Sequence, residues 1–70
     1  MKEIKWQLAL RDLCAHRGWD PPIYDMSYNS PRCCVKIKAH EYSFRSTWNI
    51  DREQTKERLS QAAFNHLVTI

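Results

Sequence analysis

Residues 51–67 have the sequence DREQTKERLSQAAFNHL, and this stretch decides the fold because the other segments of the chain can pack against it. Its pattern predicts an amphipathic helix. Asp51 can accept a hydrogen bond from a backbone amide in the first turn, and Gln54 stands where a capping-box partner would reach back. The residues predicted to line one face of the helix recur three or four positions apart: Leu59, Ala62, Ala63, His66 and Leu67.

The first turns of this helix are charged on nearly all sides. Residues 51–58 hold three acids and three bases, so the net charge of this half is zero. The exposed tip is therefore either a solvated face or a contact surface, and which of the two it is decides the function.

A second amphipathic helix is predicted over residues 2–17. Gly18, the only glycine of the chain, stands where a left-handed residue closes a helix. Pro21 and Pro22 then forbid continuation and require an extended path. The predicted inner face of the helix consists of Trp6, Ala9, Leu10, Leu13 and Arg17, with Ile4 and Leu8 beside it.

Three short strands are predicted between the helices, at about residues 23–28, 32–39 and 42–48. Each alternates in polarity with the period of two that is typical of a half-buried strand. Turns near residues 29–31 and 40–41 favour an antiparallel meander. The predicted fold is α+β with the order α-β-β-β-α, a three-stranded antiparallel sheet and two helices packed on one face. The open face carries three basic side chains: Lys36, Lys38 and Arg45.

Length and composition restrict the function. Seventy residues predict one domain, residues 1–70, and a chain of this size buries only about 60% of its unfolded surface, which leaves little room for a substrate cavity. The sequence shows no nucleophile–base pair, paired carboxylates or phosphate-binding glycine loop, so we expect no enzyme activity and no cofactor. The formal net charge of +3 permits a polyanionic partner without requiring one.

The sequence also bears on location. No apolar run approaches the roughly 18 residues needed to span a bilayer, and charges interrupt the N-terminus too early for a secretion signal. Three cysteines cannot all pair within the chain. We therefore expect an intracellular protein, cytoplasmic or nuclear, with no membrane partner.

The order of elements and several motifs resemble a double-stranded RNA-binding domain over nearly the whole chain. Residues 10–13 (LRDL) and 16–18 (HRG) are similar to the leucine-acid-hydrophobic run, basic pair and glycine that end the first helix of the family. Residues 22–24 (PIY) match its proline-x-tyrosine, and residues 35–37 (VKI) its V-x-V strand. The tail, residues 48–67, looks most like the versions found in DExH-box RNA helicases.

The resemblance implies binding of double-stranded or structured RNA by shape and backbone contacts, as an accessory module of a larger RNA-processing or helicase protein. Two motifs depart from the family. The first is the lysine-rich motif at the start of the second helix. In one alignment Arg52 and Lys56 take its outer positions, while Glu53 replaces the middle lysine. The other alignment matches Ala62 and Ala63 with the alanine pair of the family, and Lys56 is then the only base of the motif that remains. Residues 28–32 lack the family's Gly-Pro-x-His loop. Because phosphate contacts dominate affinity, we expect weak binding. The implied RNA-binding residues are Arg52, Lys56, Arg11, Asp12, His16, Asn29 and Arg32.

A second hypothesis keeps the fold without the RNA binding. The domain would then be a protein interaction or dimerisation module that meets a partner through one helix or through the sheet face of Lys36, Lys38 and Arg45. Ordinary solvation of an exposed sheet is the favoured explanation of these three charges, and a docking surface for a partner or a second copy comes next. The charged outer face of the first helix can equally serve solubility alone.

The cysteines and histidines invite a zinc hypothesis, which their spacing disfavours. The chain has no Cys-x-x-Cys, and Cys33 and Cys34 should point to opposite faces of their strand. We therefore predict buried or half-buried thiols and no metal site. The residues considered are Cys14, Cys33, Cys34, His16, His40 and His66.

Overall fold

A computed structural model describes residues 4–70 and confirms the predicted fold class. The three strands form one antiparallel sheet in the order β1-β2-β3. Within residues 4–70, no helix is both long and apolar enough to cross a bilayer. The elements are α1 (Lys5–His16), β1 (Ile23–Asn29), β2 (Arg32–Ala39), β3 (Tyr42–Arg45) and α2 (Arg52–Leu67).

Helix α1 ends where its glycine predicts. Gly18 has a left-handed φ of 72°, its amide donates to the Ala15 carbonyl at 3.1 Å, and the amide of the next residue, Trp19, donates to the Cys14 carbonyl at 2.8 Å. These two bonds form a Schellman motif. The helix is shorter than predicted, since it begins at Lys5 and leaves Arg17 as the C-cap, while the predicted start at residues 2–3 lies outside the described range.

A side chain from α2 caps the start of α1. Ile4 occupies the N-cap position and has no side-chain acceptor to offer. The Glu57 carboxylate replaces it: Oε2 accepts a hydrogen bond from the Trp6 amide at 2.7 Å, and Oε1 accepts one from the Gln7 amide at 3.0 Å. The negative charge also lies at the positive end of the helix dipole. Glu57 therefore fixes the two helices to each other.

Two-residue turns set the register of the sheet. Asn29 pairs with Arg32 around the first turn, and Ala39 pairs with Tyr42 around the second. The second turn falls at residues 40–41, as predicted, and His40 adopts the positive φ of 56° that such a tight turn needs.

The third strand is shorter than predicted, because it ends at Arg45 and not at residue 48. The Ser46 hydroxyl is the physical reason. It accepts the hydrogen bond of the Val35 amide at 2.9 Å, in place of the backbone carbonyl that a continuing strand would offer. Pairing returns at Asn49, whose amide and carbonyl both bond to the backbone of Cys33, at 2.9 and 2.7 Å.

The segment between these pairings is a β-bulge. Lys36 pairs with Arg45, so a regular ladder would place residue 48 opposite Cys33, yet Asn49 lies there instead. One extra residue has therefore been inserted on the β3 side. Such an insertion exchanges the inner and outer positions that follow it. Trp48 would share the inner face of Tyr42 and Phe44 in an uninterrupted strand, and after the insertion it is 47% exposed.

The buried face of α2 differs in part from the prediction. Ala62 and His66 are exposed, while Thr55 and Ser60 are buried. Both hydroxyls donate to the carbonyl four residues earlier, at 2.7 Å, so they can be buried with their hydrogen bonds satisfied. The core cluster combines both helices with the inner sheet face: Leu10, Cys14, Val35, Ile37, Ala39, Leu59, Ala63 and Leu67.

The three cysteines are buried thiols, as predicted. Cys14, Cys33 and Cys34 are 0%, 3% and 5% exposed, and burial raises the pKa of the Cys14 thiol. In the described part of the chain, no group of three or more histidine, cysteine or acidic side chains is placed to hold a metal ion.

This burial predicts slow thiol chemistry in the folded protein. Ellman's reagent at pH 8 should leave all three thiols unmodified on the time scale on which a free cysteine reacts, because the thiolate must be both formed and accessible. In denaturant all three should react at the rate of free cysteine. Rapid modification of one thiol in the native protein would contradict the burial described here.

Candidate nucleic-acid interface

The start of α2 lies beside the turn between β1 and β2. Asp51 begins the helix by accepting a hydrogen bond from the Gln54 amide at 3.1 Å, as predicted for its N-cap. Arg52 then approaches the end of β1, where its Nη1 is 3.5 Å from the Tyr28 hydroxyl, the long limit of a hydrogen bond. Tyr28 precedes the turn at Asn29, so the structure brings together two of the predicted RNA-binding regions.

Glu53 interacts with both of the predicted phosphate-binding cations. Its Oε1 is 3.3 Å from Arg52 Nε, and its Oε2 is 3.8 Å from Lys56 Nζ. The side chains of Arg52, Glu53 and Lys56 are 53%, 35% and 20% exposed, so the group faces solvent most strongly at Arg52. The carboxylate therefore competes directly with any phosphate for these two cations.

Arg52 keeps its charge at every accessible pH. Its interaction with Tyr28, and then the negative charge of Glu53, raise the pKa of the guanidinium further above its ordinary value. It is therefore a permanent cation at the tip of the helix.

Lys56 is held against β1. Its Nζ lies 5.9 Å from the ring centre of Tyr24, within the range of a cation–π contact. The Tyr24 hydroxyl in turn lies 2.6 Å from Ser60 Oγ on α2, and burial raises the pKa of this phenol, although the Ser60 hydrogen bond opposes the rise. The ammonium group is thus positioned by packing and is less mobile than a free lysine side chain.

The predicted residues of α1 are exposed, and one of them reaches this region. Arg11 lines a shallow cleft together with Gln7, Pro22 and Tyr24, the residue whose ring holds Lys56. Its Nε is 4.0 Å from Asp12 Oδ1, a weak and solvated pair. Asp12 and His16 are also exposed but do not touch Arg52 or Lys56 within residues 4–70.

The loop residues face solvent at the other end of the site. Asn29 and Arg32 are exposed and lie directly opposite each other across the first turn. Only Ser30 and Pro31 separate them, joined by a cis peptide bond. A two-residue turn does not project far beyond its sheet, so its contacts with RNA would be limited to a groove that lies close to the sheet end.

The acids of α2 have separate tasks that the sequence pattern did not reveal. Asp51 caps α2 and Glu57 caps α1, so Glu53 is the one acid of residues 51–58 placed between Arg52 and Lys56. The zero net charge of this stretch therefore understates its positive character at the surface. The missing N-cap of α1 at Ile4 was the one sequence signal that an external cap was needed.

The chain has no significant match among protein-family models, curated proteins or solved structures. The family of the chain is therefore a proposal, supported by its own motifs and by the order of its elements. The functional argument therefore combines the site geometry with this resemblance.

Proposed function

We propose that the chain is a divergent double-stranded RNA-binding domain that binds structured RNA weakly, by shape and backbone contacts. The observation that carries the proposal is the position of Arg52 and Lys56, which lie together at the tip of α2, with Arg52 in contact with the end of β1 next to the Asn29–Arg32 turn. Phosphate groups could meet Arg52 and Lys56, while Asn29 and Arg32 reach a neighbouring groove.

The α1 helix supports the same proposal. Arg11, Asp12 and His16 are exposed on one helix, and Asp12 offers a carboxylate. The minor groove of an RNA duplex displays 2′-hydroxyl groups, which can donate to such an acceptor and which DNA lacks. A surface of this kind discriminates RNA from DNA without reading the base sequence.

The binding should be weak because Glu53 occupies part of the site. Its carboxylate lies within 4 Å of both cations, so a phosphate must displace these pairs and tolerate the negative charge. Residues 48–67 look most like the versions of this domain found in DExH-box RNA helicases. On that resemblance, the domain would serve inside the cell as an accessory module of such a helicase or of another RNA-processing protein. The proposal assigns it no catalytic group and no cofactor.

A titration with an RNA duplex of about 20 base pairs tests the proposal, since such domains span about 16 base pairs. We expect saturable binding at low salt that falls steeply as salt rises, with a clear preference over DNA of the same sequence. Absence of binding at low salt, or equal binding to DNA, would refute it.

Removing the two cations should abolish most of this affinity. In the Arg52→Ala/Lys56→Ala variant, two phosphate contacts are lost, so we expect affinity to fall by about tenfold or more at low salt and the salt slope to fall by about two units. Fluorescence anisotropy with the labelled duplex measures both quantities.

The matched control is Lys36→Ala/Arg45→Ala, which removes the same charge from the opposite face of the sheet. At about 0.1 M salt it should weaken RNA binding by less than about twofold, because the Debye length is then about 10 Å and exposed charges farther from the phosphates are largely screened. Equal losses in the two variants would show that bulk charge, and not the α2 site, binds the RNA.

A further inference from the structure

The open face of the sheet carries a cluster of unpaired cations, which we call the β2–β3 cationic face: Lys36, Lys38 and Arg45. The register places Lys36 directly opposite Arg45, and Lys38 is the next residue on the same face of β2. All three are exposed. Among residues 4–70 they form no ion pair and donate no side-chain hydrogen bond. Arg45 repels Lys36 from β3 while Asp25 attracts it from β1, so the face keeps an excess of positive charge without a clear gain in stability.

The spacing of these cations matches an extended chain. Residues at alternate positions of a strand are about 6.8 Å apart, since each residue advances about 3.4 Å. Lys36 and Lys38 have this relation on β2. Carboxylates at alternate positions of an extended peptide have the same spacing, so two of them could meet both lysines at once.

An apolar residue completes the face. Ile23 lies directly opposite Lys38 on β1 and is 62% exposed. It lines one shallow groove together with Lys36, Lys38, Ser43, Arg45 and one acid, Asp25. The groove therefore carries three cations on β2 and β3 against one carboxylate on β1, and it is apolar where Ile23 lies.

We propose that the β2–β3 cationic face binds an extended acidic peptide segment, with carboxylates at alternate positions and an apolar side chain beside them. Charge complementarity selects the carboxylates, and Ile23 selects the apolar side chain. Asp25 lies opposite Lys36 and repels carboxylates and phosphates alike, so the choice between the two depends on Ile23. An RNA duplex fits this face less well because it offers no aliphatic group to that side chain. This function is separate from the RNA site, since the cations lie on the sheet face away from the core that α2 covers.

The probe is a fluorescein-labelled peptide of about ten residues, with Glu at alternate positions and one Leu beside them. We expect saturable binding at low salt, measured by anisotropy. Exposed ion pairs contribute little individually, so removing two of the three cations in Lys36→Ala/Arg45→Ala should weaken the binding about fivefold to tenfold. Ile23→Ser should weaken it as well, and the Glu→Gln version of the peptide should not bind.

Two controls make the result decisive. Lys5→Ala/Arg58→Ala removes the same charge from exposed helix positions and should change peptide affinity by less than about twofold at about 0.1 M salt, where the Debye length is about 10 Å. The unfolding midpoint of Lys36→Ala/Arg45→Ala should stay close to that of the wild type, because the repulsive neighbour Arg45 and the attractive neighbour Asp25 of Lys36 offset each other.

Several outcomes would overturn the proposal. They are the absence of saturable peptide binding, equal weakening by the two double variants, or undiminished binding of the Gln peptide. If Lys36→Ala/Arg45→Ala lost RNA affinity as strongly as Arg52→Ala/Lys56→Ala, the face would belong to RNA and not to a peptide. If only Arg52→Ala/Lys56→Ala loses RNA binding and only Lys36→Ala/Arg45→Ala loses peptide binding, the two sites are separate, as the proposal requires.

Discussion

Replacing Glu53 by glutamine should raise the affinity of the domain for an RNA duplex by about tenfold at low salt and steepen the salt slope by one to two units. The carboxylate oxygens of Glu53 lie 3.3 Å from Arg52 Nε and 3.8 Å from Lys56 Nζ. Glutamine removes the charge at nearly constant volume, so both cations become available to phosphates and the repulsion ends. Anisotropy titrations at several salt concentrations measure both effects.

The fold should tolerate this change. Glu53 is an acid in the first turn of α2, where the helix dipole stabilises its charge, but exposed interactions of this kind contribute little to the free energy of unfolding. A gain in RNA affinity would therefore reflect the site and not a change in the folded fraction.

Glu41→Gln is the matched control, because it makes the same charge change in the exposed turn between β2 and β3. We expect it to alter RNA affinity by less than about twofold. In a protein that already carries Arg52→Ala and Lys56→Ala, the Glu53 substitution should give a much smaller gain. An equal gain from Glu41→Gln, or none from Glu53→Gln, would contradict the proposed role of these three side chains.

Replacing Glu57 by alanine should destabilise the protein by about 2–3 kcal/mol. The substitution leaves the Trp6 and Gln7 amides without their acceptor in a partly buried position, and removes a charge from the N-terminus of α1. Stabilities of about 0.05–0.15 kcal/mol per residue make this a large fraction of the total for a domain of this size. Thermal unfolding followed by circular dichroism should show a midpoint lower by on the order of 10 °C.

Two comparisons separate this cap from a general charge effect. Glu41→Ala removes an exposed acid that caps no helix and should change stability by less than about 0.5 kcal/mol. Glu57→Gln keeps one acceptor oxygen and should be intermediate between the wild type and Glu57→Ala. A Glu57→Ala protein as stable as Glu41→Ala would show that the inter-helix cap is energetically unimportant.

The order of elements could be predicted because each boundary had a local chemical cause. Gly18 supplied the left-handed residue that closes α1, and Pro21 and Pro22 prevented its continuation. Asp51 supplied the acceptor that begins α2. Such signals act within a few residues of the chain, so a single sequence contains them.

The end of β3 could not be predicted in the same way. The pattern of Tyr42, Phe44, Ser46 and Trp48 alternates as a strand should. Alternation carries no information about a hydroxyl that replaces a backbone acceptor, as Ser46 does for the Val35 amide. A search for apolar residues also missed the buried positions of Thr55 and Ser60. Their hydroxyl groups can be buried because each donates a hydrogen bond to a carbonyl of α2 or its N-cap.

The candidate site was only partly visible in the sequence. Its cations, Arg52 and Lys56, were identifiable from residue type and spacing. The roles of the acids were not, because the task of Glu57 depends on amides 50 and 51 residues away. A count of charges along the chain treats Glu53 and Glu57 alike, whereas the fold directs one at the RNA site and the other at the start of α1.

The bulge after β3 also affects how the protein behaves at high concentration. An edge strand can recruit the edge of another molecule when it presents a long, regular row of free backbone groups. Here the β3 edge is regular for only four residues, from Tyr42 to Arg45, before the extra residue twists it. The other edge, β1, is bounded by Pro22 and by the turn at Pro31. We therefore expect the β3 edge to resist edge-to-edge aggregation through its irregularity, whereas the prolines limit the β1 edge to its seven residues.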